Sequence, residues 1–168
     1  AFAALKAEGS VVTWGSFADG GNSTSAGVGV AERLQEGVRA VHATAFAFAA
    51  LKDDGSVVTW GSHDGGGDSR HVKQDLASGV QQVAAARRAF AALKTSGSLV
   101  CWGHAESGGS SALVANDLRD GVRSIVPSEA AFAALKDGGG VVTWGHPESG
   151  GDSGDVAAEI QSDVQEVV

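Results

Sequence analysis

Histidine and acidic side chains occur just after a Trp-Gly pair in three separate places of this 168-residue sequence. These residues are His63, His104 and His146, with Asp64, Asp68, Glu106, Glu148 and Asp152 nearby. Imidazole and carboxylate groups bind zinc and act as general acids and bases, so turns that met at one rim could hold a metal or transfer protons. The alternative, which we favour, is a solvated polar rim. The candidate ligand-binding residues are His63, His104, His146, Asp68 and Asp152.

The motifs of several common catalytic and phosphate-binding sites are missing from the sequence. It contains no Gly-Lys-Ser or Gly-Lys-Thr loop, no His-Glu-x-x-His and no Gly-x-Ser-x-Gly. Asp64 and Asp68 with glycines between them hint at calcium, but they fall short of the ligand set of an EF-hand loop. An active site needs one locally unique set of residues, and near-equivalent copies do not create one. We therefore expect no catalytic residues, no enzyme activity, no resident metal and no cofactor.

A block that reads Phe-Ala-Ala-Leu-Lys, three variable residues and then Ser-Val-Val-Thr-Trp-Gly or a close variant occurs four times. The copies span 2–15, 48–61, 90–103 and 132–145, at steps of 46, 42 and 42 residues. A fixed period of this length is typical of propellers, solenoids and repeat arrays. We expect one repeat domain over 1–168, with units of about 1–46, 47–88, 89–130 and 131–168.

The first half of each unit has the pattern of a β-hairpin. In the second unit, two short apolar segments, 47–52 and 56–60, flank the turn that ends at Gly55. Glycine accepts the left-handed conformation that closes a type I turn with a bulge. Both faces of the second segment are apolar or β-branched, as expected for a sheet between two neighbouring sheets. The FAALK-type strands are expected to be innermost.

The second half of each unit begins with a Gly-Gly stretch and ends with a third strand. Val72 and Leu76 share one face at a spacing of four, and Gly79 follows. With Asp68 or Ser69 as the N-cap, this pattern favours a two-turn helix, although periodicity alone does not separate helix from strand. The fourth unit has Asp163 where the others have glycine. The third strand carries Val-x-x-Val or its like, at Val38 and Val41, Val80 and Val83, Val122 and Ile125, and Val164 and Val167.

Closure of the array is a separate question. A ring of four units would place residues 164–168 beside residues 1–6, whereas separation of these segments would mean an open array. The sequence begins inside a repeat, so we expect a processed product or a slice of a longer polypeptide.

The aromatic residues and the single cysteine are interpreted first as packing residues. Trp14, Trp60, Trp102 and Trp144 are expected in the core or between repeats, and a row of exposed ligand platforms is the alternative. Cys101 replaces the threonine of Thr-Trp-Gly, so we expect a half-buried strand residue. A single cysteine forms no internal disulfide, so the sequence does not decide between an oxidising and a reducing compartment.

The repeat resembles that of the regulator of chromosome condensation family. The likeness is carried by Leu51, Gly55, Val57, Trp60 and Gly61, by the matching places in the other copies, and by the Gly-Gly and Val-x-x-Val segments. The resemblance implies a β-propeller with one repeat per blade. The family includes a nucleotide-exchange factor, a light receptor and substrate-binding parts of ubiquitin ligases. The chain matches the repeat frame but differs from the family's usual residues outside it, for example at 48–49 and 66–69. None of the functional residues of the family members is therefore assigned to this chain.

The charge of the chain limits the classes of partner that it can bind. A net charge of −8 and a pI near 4.9 disfavour general nucleic-acid binding, which needs a basic face. No apolar run approaches the ~20 residues of a membrane span.

The repeats diverge in their connections, where Arg87-Arg88 in one connection corresponds to Pro127-Ser128-Glu129 in the next. Variation on a constant frame is typical of interaction scaffolds.

The sequence therefore predicts a non-catalytic protein–protein interaction scaffold, or a structural subunit of a larger assembly. We expect a partner with a basic patch. The alternative is a lectin-like propeller that binds glycans or small ligands through repeated rim residues. An enzyme is the third and least favoured class, and the cellular compartment is left open.

Overall fold

The chain folds into β-sheets joined by loops and single helical turns. The structure, a computed structural model, describes residues 1–25 and 29–168. Sheet A consists of β1 (Phe2–Leu5) and β2 (Val11–Trp14). Sheet B consists of β3 (Val38–Ala43), β4 (Ala47–Lys52) and β5 (Val57–Gly61). Sheet C consists of β6 (Val80–Ala85), β7 (Ala89–Lys94) and β8 (Leu99–Gly103). Sheet D consists of β9 (Val122–Pro127), β10 (Ala131–Lys136) and β11 (Val141–Gly145).

The predicted hairpins are confirmed. In sheet B, β4 and β5 are antiparallel, with Phe48 opposite Trp60 and Leu51 opposite Val57. Gly55 closes the turn at φ 75°, in the left-handed region that favours glycine. The same register recurs between β1 and β2, β7 and β8, and β10 and β11.

In each of the first three units, the third strand belongs to the sheet of the following unit. The strand order is β3-β4-β5 in sheet B, and sheets C and D repeat this order. The expectation that FAALK-type strands are innermost is therefore wrong for β4, β7 and β10, because each of them is the middle strand of a three-stranded sheet. The Val-x-x-Val strand pairs with the edge of the FAALK-type strand that the hairpin leaves free. These edge strands also contact one another between sheets, where Arg39 Nη2 donates to Gln81 O at 3.1 Å.

Alanine-rich strands are unusual, because alanine has little tendency to form strands on its own. Ala49 and Ala50 are fully buried, on opposite faces of the middle strand. Each face packs against a neighbouring sheet, with sheet A on one side and sheet C on the other. The small side chains let three sheets stack closely, so tertiary burial stabilises the strand where local propensity does not.

The tryptophans join successive sheets, as the packing interpretation predicts. Trp60 is 1% exposed, stacks on Phe48 at 5.2 Å between ring centroids, and donates from Nε1 to Gly20 O at 3.1 Å. Gly20 belongs to the Gly-Gly stretch of the preceding unit. Trp102 and Trp144 repeat the arrangement, each at 3.0 Å from a carbonyl of the preceding unit, Gly66 O and Gly108 O. Trp14 differs, since it is 50% exposed.

The two-turn helix expected after the Gly-Gly stretch does not form. Short 3-10 turns stand there instead, at Arg70–Val72, Ala112–Val114 and Gly154–Val156, and the first unit has one α-helical turn, α1 (Val30–Arg33). Ser69 does not cap its turn, because its hydroxyl lies 2.8 Å from Thr59 Oγ1. Asp68 Oδ1 accepts from the Arg70 backbone N–H instead. The buried anchor is Leu76, and Gly79 follows at φ 71°, as predicted.

The sheets form an open, propeller-like array of blade-like units. Within the described part of the chain, β1 pairs with β2 alone, and residues 164–168 form no strand. This C-terminal segment lies against sheet D, since the Val164 N–H donates to Gly139 O at 3.0 Å and Arg123 Nη2 donates to Gln165 O at 2.8 Å. The ring does not close at four. No helix among the described residues could cross a bilayer.

Candidate functional site

The loops that enter the middle strands meet along one end of the array. They occupy equivalent places in successive units and are joined by backbone hydrogen bonds. The Ala45 N–H donates to Arg87 O at 3.0 Å, and the Arg87 N–H donates to Glu129 O at 2.8 Å. This ladder holds the most divergent loops of the chain side by side.

A cleft of about 630 Å³ lies over this ladder, beside the ends of sheets B, C and D. Its walls combine one aromatic ring, two arginines, two histidines and three glutamates with small residues. They are Phe46, Arg87, Arg88, His104, Glu106, Ser107, Glu129, Ala130, His146, Glu148 and Ser149. We call this the connection cleft. It places residues from all four units in one site, and no two units contribute the same set.

Two nitrogen atoms in the connection cleft are buried without a hydrogen-bond partner among the described residues. They are Arg88 Nε and His104 Nδ1. The Arg88 guanidinium lies over the Phe46 ring, 5.7 Å from its centroid. Buried polar groups in folded proteins are nearly always paired with protein atoms or water, so these two nitrogens are available to form hydrogen bonds with water or with an atom of a ligand. Arg87 is paired, with Nη1 3.1 Å from Glu129 Oε1, but both side chains are exposed.

The three histidines do not form one ring, because they occupy two different backbone positions. His104 and His146 each donate a backbone N–H to the loop that enters the middle strand of the same sheet, at 2.9 Å from Arg88 O and Ala130 O. Ser62 makes this contact in the second unit, with Phe46 O. His63 therefore lies one residue further along, inside a 3-10 turn. The structure brings His104 and His146 to the connection cleft and leaves His63 outside it.

His63 and Asp68 meet on another surface. His63 Nε2 lies 3.1 Å from Asp68 Oδ2, in a groove that Arg70 also lines. Arg70 Nη2 approaches the same oxygen at 2.6 Å, and its Nε donates to both carboxylate oxygens. These hydrogen bonds lower the pKa of Asp68 to about 2. The carboxylate is thus held in an ion pair.

The remaining candidate, Asp152, lies outside both places. It is exposed, and its Oδ1 accepts from the Gly154 backbone N–H at 2.9 Å, which makes it a turn residue. Within residues 1–25 and 29–168, no three His, Cys, Asp or Glu side chains group in a way that could hold a metal ion.

Cys101 occupies the half-buried strand position that the sequence predicts. Burial raises the pKa of the Cys101 thiol to about 11, while hydrogen bonding to Ser111 acts in the opposite direction. The thiol is protonated at neutral pH and is therefore a weak nucleophile.

Sequence reasoning missed the centre of the connection cleft. Phe46, Arg88 and Glu129 precede the repeated block, where no motif marks a site. The available signal was the contrast in charge between Arg87-Arg88 and Glu129 at equivalent positions. It showed that these loops diverge, but the ladder that brings them together is a tertiary feature.

Comparisons with known proteins show resemblance at the level of solved structures. No family model matches the chain, and no curated protein matches its sequence. The ectodomain of the Physcomitrella patens receptor kinase CR4 is 18% identical, with a TM-score of 0.45 over 64% of this chain and 29% of that chain. Human WBSCR16 is 24% identical, with a TM-score of 0.47 over 64% and 33%. A structure of Kap60 bound to yeast RCC1 is 19% identical, with a TM-score of 0.47 over 64% and 29%. The chain spans about a third of the length of these proteins.

Proposed function

We propose that this protein is a non-catalytic interaction scaffold whose connection cleft binds a basic, extended segment of a partner protein. The observation that carries the proposal is the cleft itself, in which divergent residues of all four units surround two buried nitrogens that have no partner among the described residues. The repeat frame is constant, and the chemistry is concentrated where the repeats differ. We also propose that the units are a divergent form of the regulator of chromosome condensation repeat, on the residues that carry that resemblance.

The acidic side chains favour a basic partner. Glu106 and Glu148 are exposed and have no ion-pair partner among the described residues, whereas Glu129 is paired with Arg87. Lysine or arginine side chains would satisfy these carboxylates, and the net charge of −8 would steer such a partner towards the cleft. Backbone carbonyls of an extended segment are suitable acceptors for the Arg88 and His104 nitrogens. The cleft has one such constellation, which favours one peptide over several equivalent saccharide sites.

The test is selection from a random peptide library, followed by titration of the selected peptides. We expect basic peptides whose affinity falls as salt rises. The variant Glu106→Gln/Glu148→Gln should weaken binding several-fold at low salt and flatten the salt dependence. Asp152→Asn is the matched control, because it removes a carboxylate outside the cleft.

A second variant separates hydrogen bonding from charge. Arg88→Lys keeps the charge but removes the Nε donor, so it should weaken binding roughly two- to tenfold at every salt concentration. Selected peptides without a charge preference would contradict the proposal, as would a double glutamine variant that behaves like Asp152→Asn. Saturable binding of a saccharide to several equal sites would support the lectin-like alternative.

A further inference from the structure

The outer face of sheet A carries aromatic side chains that are buried in the other sheets. Phe2 is 65% exposed and Trp14 is 50% exposed, whereas Phe48 and Trp60 are 6% and 1% exposed. The Phe2 and Trp14 rings are nevertheless stacked, with centroids 5.4 Å apart. We call Phe2, Ala4, Val12 and Trp14 the knob face. It has the geometry of the buried joints without the sheet that covers them.

The opposite end of the array carries the complementary surface. An apolar cavity of about 400 Å³ lies on the outer face of sheet D. Its lining includes Ala131, Ala133, Val141, Ile160, Val164 and Val167, which we call the socket. At the joint between sheets C and D, the equivalent residues surround Phe132 and Trp144. The socket is therefore a copy of the surface that covers a Phe–Trp pair.

Gly150, beside the socket, lacks the aromatic neighbour that the equivalent glycines have at the internal joints. At the three internal joints, a Cβ built on Gly20, Gly66 or Gly108 would lie within 3.0 Å of the phenylalanine ring of the next unit. The backbone carbonyls of these glycines accept the tryptophan Nε1–H. Gly150 has the equivalent conformation, at φ 92°, but no described atom lies within 4 Å of a Cβ built there. The acceptor for a fourth tryptophan is in place.

The backbone edges match as well. The outer edge of β1 pairs with no strand in the described part of the chain. Residues 164–168 carry the Val-x-x-Val pattern of the edge strands β3, β6 and β9, and they are already anchored, through Val164, to sheet D. Asp163 stands at φ 64°, the conformation of the glycine that precedes these edge strands in the other units.

We propose that the socket of one copy of this chain receives the knob face of a second copy, head to tail. Residues 164–168 of the first copy then add to β1 of the second as an edge strand. The occupant is a second copy because the three internal joints show which surface fits the socket, and sheet A presents that surface. The proposal uses other residues than the connection cleft, apart from Ser149, so the two stand independently.

Equivalent pairs in the complete sheets specify the register of the added strand. Val41 lies opposite Ala50, Val83 opposite Ala92, and Ile125 opposite Ala134. Val167 of one copy should therefore lie opposite Ala4 of the other. Trp14 Nε1 of the second copy should donate to Gly150 O of the first. Such a head-to-tail contact either closes into a ring or extends into a chain of copies.

The first test is the molar mass of residues 1–168 by sedimentation velocity and light scattering, from about 1 to about 100 μM, a range set by the affinities of interfaces of ordinary size. We expect mass that rises with concentration. Trp14→Ala and Ala133→Glu should each abolish the rise while the circular dichroism spectrum stays unchanged. Leu113→Ala is the matched control, because Leu113 is an exposed apolar residue outside both surfaces. A wild-type chain that stays monomeric throughout overturns the proposal.

Mixing the two variants tests the head-to-tail arrangement. Trp14→Ala keeps the socket, and Ala133→Glu keeps the knob face, so an equimolar mixture should form a dimer through one joint. A mixture that stays monomeric, from variants that each removed association, overturns this arrangement.

A disulfide gives a readout that does not depend on those variants. In a Cys101→Thr background, Ala4→Cys and Val167→Cys placed on separate chains should form an intermolecular disulfide under oxidation. Ala3→Cys with Val167→Cys is the control for register. When both cysteines are placed in one chain, a disulfide that forms within single chains would mean closure of one copy on itself, which overturns the second copy as occupant.

Discussion

At the scale of single residues, the same residue type has different energetic roles according to its sheet. Trp60 and Trp14 occupy equivalent positions, yet one is sealed between two sheets and the other faces solvent. Glycines also differ, since Gly66 touches the next unit and Gly150 does not. The repeat pattern identifies the position, and the neighbouring sheet determines the cost of changing it.

We expect Trp60→Ala to destabilise the protein by about 3–5 kcal/mol, because it empties a buried joint and removes a hydrogen bond. Trp14→Ala, measured at a micromolar protein concentration, should lower the free energy of unfolding by about 1 kcal/mol or less, as substitutions at exposed positions do. Chemical denaturation of both variants provides the comparison. Equal losses would contradict the different burial of the two rings.

The carboxyl of Asp68 should titrate with a pKa of about 2, below its ordinary value of 3.8, because Arg70 donates hydrogen bonds to the charged form. A lowered folded-state pKa stabilises the fold above pH 3.8 and loses this contribution as the pH falls towards 2. Carboxyl NMR titration measures the value, and Arg70→Ala should return it towards 3.8. Since Arg70 is exposed, we expect the effect on stability to be small.

At the scale of elements, the unit of construction is a joint between sheets. A joint consists of the Phe–Trp pair of one sheet, the alanine face of the previous sheet and a glycine carbonyl. The alanines are needed because the sheets approach closely, and the glycines because a ring occupies the space of a Cβ. Local turns orient these parts, but only the stack of sheets brings them together.

Paired glycine variants separate backbone strain from packing. Gly66→Ala and Gly150→Ala both place a side chain at positive φ, at 96° and 92°, which costs on the order of 1–2 kcal/mol. Gly66→Ala also pushes a Cβ to 2.7 Å from the Phe90 ring, which should add roughly 1–3 kcal/mol. The difference between the free energies of unfolding of the two variants measures how much the packing against Phe90 contributes to the joint. Identical values would show that Phe90 moves aside freely.

The link between a strand and the following turn gives a second element-scale prediction. Thr59 and Thr143 contact Ser69 and Ser153 through their hydroxyls, at 2.8 Å and 2.9 Å. Cys101 occupies the equivalent place, so Cys101→Thr should stabilise the protein by about 0.5–1.5 kcal/mol by adding a hydroxyl contact with Ser111. Thr59→Cys is the reciprocal control and should destabilise. A loss of stability in Cys101→Thr would show that the hydroxyl does not fit this site.

At the scale of the whole molecule, the sheets form a one-dimensional array, so stability depends on how many neighbours each sheet has. Sheets B and C are covered on both faces, whereas sheet A is covered on one and exposes its aromatic pair. Native-state hydrogen exchange should be slowest in β4 and β7 and fastest in β1 and β2. Uniform protection across the sheets at low protein concentration would mean that the array unfolds as one unit.

The sequence by itself determined the features that depend on neighbouring residues. The period, the hairpins and the left-handed glycines at 55 and 79 follow from strand pattern and turn chemistry, which act over a few residues. The spacing of Val72 and Leu76 was misread as a helix because buried Leu76 serves equally well as the anchor of a 3-10 turn. Local patterns alone do not separate these structures.

The tertiary structure decided what depends on distant residues. It assigned the Val-x-x-Val strand to the next sheet, and it gathered Arg88 and Glu129 into one cleft. It also buried three tryptophans and exposed the fourth, although the sequence around all four is nearly the same. The reason is physical: burial and cross-unit hydrogen bonds are set by contacts about 42 residues apart, and their energies exceed the local preferences of the segments they join.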